Sequence, residues 1–134
     1  DRERGARGRM GGLMVHEVRA WFVGDNAKKM QHLLAFGYGR EDCRTVNYWT
    51  DAPPLAVSDE ACKWMLLARG DKALILFCTW NAKENDVTVT LDADRLGAAC
   101  AQAVDVEAGT TTPVDKGRFT IAMPGYGTRI LRLE

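Results

Sequence analysis

The chain has 134 residues, with 18 basic and 18 acidic residues and a sequence pI near 6.9. This length suits one domain with a workable apolar core and leaves no room for a second full domain. Because the charges cancel, no overall field would attract the chain to nucleic acid or to an anionic membrane. A run of about 20 apolar residues is also missing, so we predict neither a nucleic-acid nor a membrane partner. The composition does not indicate in which cellular compartment the protein is found.

The cysteine and histidine patterns argue against a metal or cofactor site. The four cysteines contain no Cys-x-x-Cys pair, and the two histidines contain no His-x-x-x-His pair. These are the spacings that zinc sites and thioredoxin-like redox motifs use. A glycine-rich phosphate loop and a Ser-His-Asp set are likewise missing. We therefore predict buried free thiols, no bound metal and no cofactor.

Two segments precede the first well-marked element. Residues 1–12 are rich in arginine and glycine and lack an apolar period, which predicts a flexible arm. Residues 13–23 are largely apolar, and their spacing fits either a buried strand or one face of a helix. We favour a strand over the first half of this segment, and the two alternatives stay open.

A helix is predicted from Ala27 to Phe36. Apolar residues recur there at helical spacing, Asp25 or Asn26 can serve as the N-cap, and Gly37 follows the last turn. The apolar positions are Ala27, Met30, Leu33 and Leu34. Together with the preceding segment, this helix makes residues 13–42 a strand-helix appendage to whatever follows.

The clearest motif is a hairpin. The segments Cys62–Arg69 and Lys72–Trp80 flank Gly70-Asp71, where glycine tolerates the positive φ that a tight turn requires. A two-residue turn at this point places Cys62 opposite Thr79 and Lys63 opposite Cys78. Successive side chains alternate between the faces, so the thiols of Cys62 and Cys78 lie on opposite faces and cannot form a disulfide.

Both faces of this hairpin are apolar. Trp64, Leu66, Ile75 and Phe77 share one face, and Met65, Leu67, Leu74 and Leu76 share the other. Each face therefore needs a cover. A second sheet is expected over one face, and the N-terminal helix or a neighbouring domain over the other.

Further strands and turns complete residues 43–134. Strands are predicted over residues 44–49, 87–91, 101–107, 117–123 and 128–133, with a helical turn capped by Asp92 and a type II turn with Pro124-Gly125 at its centre. Short strands at such regular spacing are typical of an antiparallel sandwich. We predict a mainly β fold, an antiparallel β-sandwich with an N-terminal strand-helix appendage.

Two groups of residues are candidates for function. His16-Glu17 is the one histidine-carboxylate neighbour pair and could serve acid-base catalysis, although adjacent strand residues point to opposite faces. Aromatic rings can bind sugars by stacking, since they offer large, rigid and partly polar surfaces. The carbohydrate-binding candidates are Tyr48, Trp49, Trp80 and Tyr126. A bound glycan is the ligand class that they imply.

The order of strands and turns from residue 43 onwards resembles that of a known protein family. Two patterns mark it, the Asp-x-x-x-Gly run from Asp105 to Gly109 and the Gly-Tyr-Gly-x-Arg-x-Leu run from Gly125 to Leu131. Residues 43–134 resemble the C-terminal all-β domain that follows the barrel in α-galactosidase-like glycoside hydrolases and in poorly characterised relatives. The resemblance implies that residues 11–39 are the last strand and helix of a (β/α)₈ barrel, with His16 and Glu17 near its active-site end.

The chain departs from that family because the preceding seven βα units are missing. No catalytic carboxylate pair can be carried over, and glycoside hydrolysis normally needs two carboxyl groups. We therefore expect a non-catalytic accessory or stabilising domain of a glycoside-hydrolase-like protein. The alternatives are a free-standing carbohydrate-binding module and, third, a small acid-base enzyme around His16 and Glu17. The expected partner is a missing catalytic domain or a second copy, bound through residues 13–23 and the 62–80 hairpin.

Overall fold

The computed structural model describes residues 25–98 and 100–134. The predictions made for residues 1–12 and 13–23, and those for His16 and Glu17, lie outside the described residues. None of the helices in the described ranges is long and apolar enough to cross a membrane.

Nine strands and two short helices follow one another along the described chain. Helix α1 spans Asp25–Phe36 and precedes strands β1 (Arg44–Asn47), β2 (Leu55–Val57), β3 (Cys62–Arg69), β4 (Lys72–Thr79) and β5 (Asn85–Leu91). Helix α2 (Ala93–Leu96) leads to β6 (Gln102–Asp105), β7 (Thr111–Pro113), β8 (Arg118–Met123) and β9 (Thr128–Leu133).

The strands form two antiparallel sheets. The larger has six strands in the order β1-β3-β4-β9-β6-β7, and the smaller has three in the order β2-β5-β8. The predicted antiparallel sandwich is thereby confirmed. The hairpin register is confirmed as well, because Cys62 pairs with Thr79 and Lys63 pairs with Cys78. Gly70 has the positive φ expected of it, at 60°.

The main core lies between the two sheets. One face of the hairpin, including Trp64 and Phe77, packs there against Val87, Val89 and Ile121 of the smaller sheet. Strand β5 alternates between buried and partly exposed positions, as its Val-Thr-Val-Thr-Leu pattern predicts. Burial of these apolar side chains is the main source of stability for such a sandwich.

A second core lies on the outer face of the six-stranded sheet. It contains Leu33, Met65, Leu67, Leu74, Leu76, Cys78 and Ile130. Helix α1 supplies Leu33 to this cluster, with Met30 and Phe36 packed at its border. The prediction that the hairpin needs cover on both faces is therefore confirmed, and the chain's own helix contributes to the outer cover.

Local capping motifs explain why both helices end where they do. Gly37 and Tyr38 donate their N–H groups to the carbonyls of Leu34 (3.1 Å) and Leu33 (3.0 Å), the paired bonds of a Schellman motif. In α2, the Asp92 carboxylate accepts the N–H of Arg95, and Gly97 closes the turn with a φ of 64°. The predicted roles of Gly37 and Asp92 are thus confirmed, whereas Asp25 and Asn26 form the first helical residues of α1.

Several expectations were wrong in detail. Strands β2 and β7 were not predicted, because each has only three residues and shows no alternating apolar pattern. Leu34 was placed on the apolar face of α1, yet 55% of its surface is exposed. The turn before β9 is shifted by one residue, since Gly127 donates to the carbonyl of Pro124 and the positive φ falls on Tyr126.

Candidate functional site

The four aromatic candidates lie in two separate places. Tyr48 and Trp49 follow β1 at the edge of the six-stranded sheet, whereas Trp80 follows β4 and Tyr126 precedes β9 at one end of the sandwich. Three of the four are well exposed, with 54% of Trp49, 45% of Trp80 and 39% of Tyr126 open to solvent. Tyr48 packs at the border of both cores.

At the sheet edge, the aromatic rings already contact other groups. The rings of Tyr48 and Trp49 meet edge to face, with centroids 5.0 Å apart and planes at 88°. The Lys63 ammonium lies 5.2 Å from the centroid of the Tyr48 ring, within the range of a cation–π contact. Trp49 also lines a shallow groove of about 590 Å³ with Arg44, Asp51 and other polar residues. One face of Tyr48 is therefore occupied within the chain.

At the end of the sandwich, three loops are joined by backbone hydrogen bonds. We call this region, residues 58–61, 80–84 and 124–127, the loop end. Trp80 donates its N–H to the Ala61 carbonyl at 3.0 Å, and Tyr126 donates to the Asn81 carbonyl at 2.8 Å. The two exposed aromatic residues are thus held by adjoining loops.

Asp59 organises the polar side of the loop end. One carboxylate oxygen accepts the N–H of Ala61 at 2.9 Å, and the other accepts the side-chain amide of Asn85 at 2.8 Å. The amide of Asn81 lies 3.5 Å from that second oxygen. These hydrogen bonds, led by the one from Ala61, lower the pKa of Asp59 below its ordinary value of 3.8. Asp59 is therefore a charged loop anchor.

The turn that carries Tyr126 is sterically restricted. Tyr126 has a φ of 51°, a conformation that is unfavourable for a bulky side chain. A Cβ atom at Gly127 would lie 2.2 Å from Cγ of Pro124, so no other residue fits there without a shift. The need for glycine at position 127, the third residue of the Gly-Tyr-Gly pattern, is therefore explained by its close contact with Pro124.

The other residues of the family-like patterns have structural roles. Asp105 is buried, and its carboxylate accepts the N–H groups of Glu107 (3.0 Å) and Ala108 (2.9 Å). Gly109 then closes the turn by donating to the Asp105 carbonyl at 2.7 Å. Arg129 lies 3.5 Å from the same carboxylate and donates to the Ala122 carbonyl at 3.0 Å. Both patterns therefore shape turns.

Ion pairs attach α1 and its C-terminal loop to the rest of the domain. Lys29 contacts Glu107 at 2.7 Å, and Arg69 donates to the Asp42 carboxylate at 2.9 Å and to the Phe36 carbonyl at 3.0 Å. Beside α1, an open groove of about 880 Å³ runs along the outer face. Its charged lining has both signs and comprises Asp42, Arg69, Asp71, Lys72, Asp105 and Arg132.

The thiols are unpaired, as predicted, and they are not reactive centres. Cys62 and Cys78 are buried on opposite faces of the hairpin, and desolvation raises the pKa of each to about 12. Burial also raises the pKa values of Cys43 and Cys100. Thiolates are therefore scarce near neutral pH. Within residues 25–98 and 100–134, no group of three or more His, Cys, Asp or Glu could hold a metal ion.

The structure brings together residues that the sequence reasoning left apart. Trp80 and Tyr126 were predicted as separate candidates, and the bond between Tyr126 and Asn81 places them at the same end. Asp59 and Asn85 were not singled out at all. The asparagines that follow Trp80 in the sequence indicate possible hydrogen-bond donors. Only the folded structure shows that their side-chain amides contact Asp59.

No family model and no curated protein sequence matches this chain. Among solved structures, a GH30 endoxylanase from Clostridium papyrosolvens is similar over 98% of this chain, at 11% identity and a TM-score of 0.68. AmyP in complex with maltose is similar over 82% of this chain, at 19% identity and a TM-score of 0.54. These likenesses support a glycoside-hydrolase-like fold, and at such identities they show the fold alone. The chain spans 38% and 20% of the two neighbours.

Proposed function

We propose that the chain is a non-catalytic accessory domain that stabilises a glycoside-hydrolase-like protein. The observation that carries this proposal is the coverage: nearly the whole chain aligns with 38% of the endoxylanase chain. A unit that corresponds to a minor part of such a chain is more simply explained as a supporting domain than as a complete hydrolase. The role at the C-terminus of a barrel, which the sequence resemblance implies, is part of this proposal.

The hydrogen bonds of two described carboxylates, Asp59 and Asp105, are consistent with a supporting role. Glycoside hydrolysis normally uses two carboxyl groups across the scissile bond, about 5–10 Å apart, with one available as an acid. Asp59 and Asp105 instead accept hydrogen bonds that hold loops together. The lowered pKa of Asp59 also keeps it ionised, which is the wrong state for an acid near neutral pH.

Two assays test the supporting role. The chain alone should release no sugar from nitrophenyl glycosides, starch or xylan. When a glycoside-hydrolase barrel is joined upstream of the chain, Leu33→Ala should lower the melting temperature of the barrel, because it weakens the cover of the outer face. Leu34→Ala is the matched control, since Leu34 is exposed on the same helix. Sugar release by the chain alone, or an unchanged barrel, would contradict the proposal.

A free-standing carbohydrate-binding module is the second candidate function. It is favoured by the exposure of Trp49, Trp80 and Tyr126, because exposed aromatic rings offer rigid, partly polar faces on which sugars can stack. A glycan array probed with the purified chain tests it directly. The third alternative, an acid-base enzyme around His16 and Glu17, rests on residues outside the described ranges and stays a prediction.

We also propose that docking to a catalytic domain uses the N-terminal side of the chain. The sequence predicts an interface through residues 13–23 and the 62–80 hairpin. Both faces of the hairpin pack within the chain, so the hairpin needs no partner to cover them. The proposed interface therefore consists of residues 13–23 and the outer side of α1, where Leu34 is exposed. Light scattering of the chain by itself and of the chain mixed with a separate barrel domain tests this interface. A monomeric mass in both samples would contradict it.

A further inference from the structure

We propose that the loop end carrying Trp80 and Tyr126 is a contact surface for a neutral oligosaccharide. This inference goes beyond a stabilising role and rests on the second candidate function, sugar binding. Its first support is exposure: both rings are open to solvent although the domain has two apolar cores that could have buried them. Tryptophan and tyrosine offer broad apolar faces with a polar edge, which suits the C–H faces and hydroxyl groups of sugar rings.

The second support is the rigidity of the loops. Trp80 is attached to Ala61 and Tyr126 to Asn81 by backbone hydrogen bonds, and Thr79 donates to the Gly127 carbonyl at 3.1 Å. The side chain of Asp59 adds its bonds to Ala61 and Asn85. A surface that is ordered before binding loses less conformational entropy when a ligand arrives. Aromatic side chains add contact area at low entropic cost, because they have few rotatable bonds.

The third support is the backbone conformation of Tyr126. Its φ of 51° is a conformation that glycine adopts readily, and a glycine stands on either side of it. The sequence nevertheless places a tyrosine at the strained position. Strain of this kind persists where surrounding structure holds it and where the side chain is used. We infer that the ring is kept there for contact with a ligand.

The polar surroundings select a neutral ligand. The charged side chains of the loop end are the acidic Asp59, Glu60 and Glu84 and the basic Lys83, and the amide of Asn81 lies in the same loop as Lys83 and Glu84. Carboxylates are in excess, so the surface repels an acidic ligand. Hydroxyl groups can both donate and accept hydrogen bonds and therefore suit such a mixture.

Trp49 belongs to the competing site at the sheet edge. It is at least as exposed as Trp80, but its ring contacts Tyr48 edge to face at the other aromatic site. The loop end, rather than the sheet edge, is therefore the inferred sugar surface.

The test is affinity electrophoresis of the full chain in gels containing soluble starch, xylan or galactomannan. We expect at least one polysaccharide to retard the unaltered chain. Trp80→Ala and Tyr126→Ala should each weaken that retardation by a factor on the order of ten in affinity. Leu34→Ala, which removes an exposed apolar side chain on α1 outside the loop end, should leave it unchanged. Circular dichroism checks that each variant is folded.

Tyr126→Gly separates binding from structure. Glycine relieves the backbone strain, so this variant should melt no lower than the unaltered chain while it loses retardation. A residue with a purely structural role would lower the melting temperature and leave retardation intact, which would overturn the inference.

The other outcomes are also decisive. Loss of retardation in Trp49→Ala alone would overturn the loop end as the site while leaving sugar binding intact. No retardation by any of the three polysaccharides would overturn both the inference and the sugar-binding function, but not the stabilising role. A change of oligomeric mass in Trp80→Ala, without a change in retardation, would assign the surface to a protein contact and overturn the inference.

Discussion

Asp59 and Asp105 perform similar tasks in different loops. Asp59 accepts the backbone N–H two residues further along the chain, and Asp105 accepts those two and three residues further along, so each carboxylate fixes a turn. Each also has a second type of partner, an asparagine amide for Asp59 and the Arg129 guanidinium for Asp105. Hydrogen bonds to a charged acceptor are stronger than those between neutral groups, which explains why short polar loops can be well ordered.

The first prediction concerns Asp59. Its folded pKa is lowered, so its stabilising contribution is present above the unfolded value near 3.8 and is lost as pH falls through the folded value. Asp59→Asn can still accept the Ala61 N–H but cannot accept a strong bond from Asn85. We expect this variant to lose about 1 kcal/mol of unfolding free energy near pH 6 and a smaller amount at about pH 2.

Urea unfolding of the two proteins across this pH range provides the measurement. Asp86→Asn is a suitable control, because Asp86 is exposed on β5 close to Asn85. An equal loss of stability at both pH values would show that the charge of Asp59 is not the cause.

The second prediction concerns the buried thiols. Cys62 and Cys78 have folded pKa values of about 12 against 9.0 for the ordinary thiol, so their contribution is complete below pH 9 and is lost as pH rises from 9 towards 12. From about pH 8 to about pH 10, each should lower the unfolding free energy by roughly 1 kcal/mol. Replacing both by alanine should flatten this pH dependence by the summed amount.

Urea unfolding at the two pH values measures the effect, and the difference between variants removes the contribution of other titrating groups. Cys43→Ala and Cys100→Ala are the controls, since both thiols are partly exposed. If all four replacements flatten the pH dependence equally, selective burial is not the cause.

At the scale of elements, long strands could be predicted and very short ones could not. The β3-β4 hairpin was predictable with its register because a glycine turn and two apolar faces constrain it. Strands β2 and β7 have three residues each, too few to show a period, and they form because neighbouring strands offer hydrogen-bond partners. The turn before β9 was displaced by one residue because the contact between Gly127 and Pro124 is invisible in a pattern of turn propensities.

The third prediction compares two neighbouring residues of α1. Leu33 is buried in the outer core, whereas Leu34 is largely exposed. Leu33→Ala should cost roughly 2–5 kcal/mol of unfolding free energy, since it removes buried methyl groups and leaves a cavity. Leu34→Ala should change it by less than about 0.5 kcal/mol. Chemical denaturation followed by tryptophan fluorescence measures both.

Equal, small effects of the two replacements would show that α1 is not part of the cooperative unit. A large effect of Leu33→Ala alone would show that the helix and the sheet unfold together.

At the scale of the whole molecule, the sandwich was predictable and the grouping of candidate residues was not. Alternating apolar residues determine which side of a strand faces a core, and this information is local. The proximity of Trp80 and Tyr126 depends instead on β4 lying beside β9, a pairing between residues more than 40 positions apart. Side chains that meet through such pairings leave no spacing signature in a single sequence.

The position of β9 has a consequence for synthesis. This strand follows all the others in sequence, yet it lies between β4 and β6 in the larger sheet. While the ribosome is still making residues 128–133, β4 and β6 each lack a neighbour, and the unpaired edges can bind other strands. The domain must therefore complete its folding after these residues emerge. A nascent chain that stalls before them should be a substrate for chaperones.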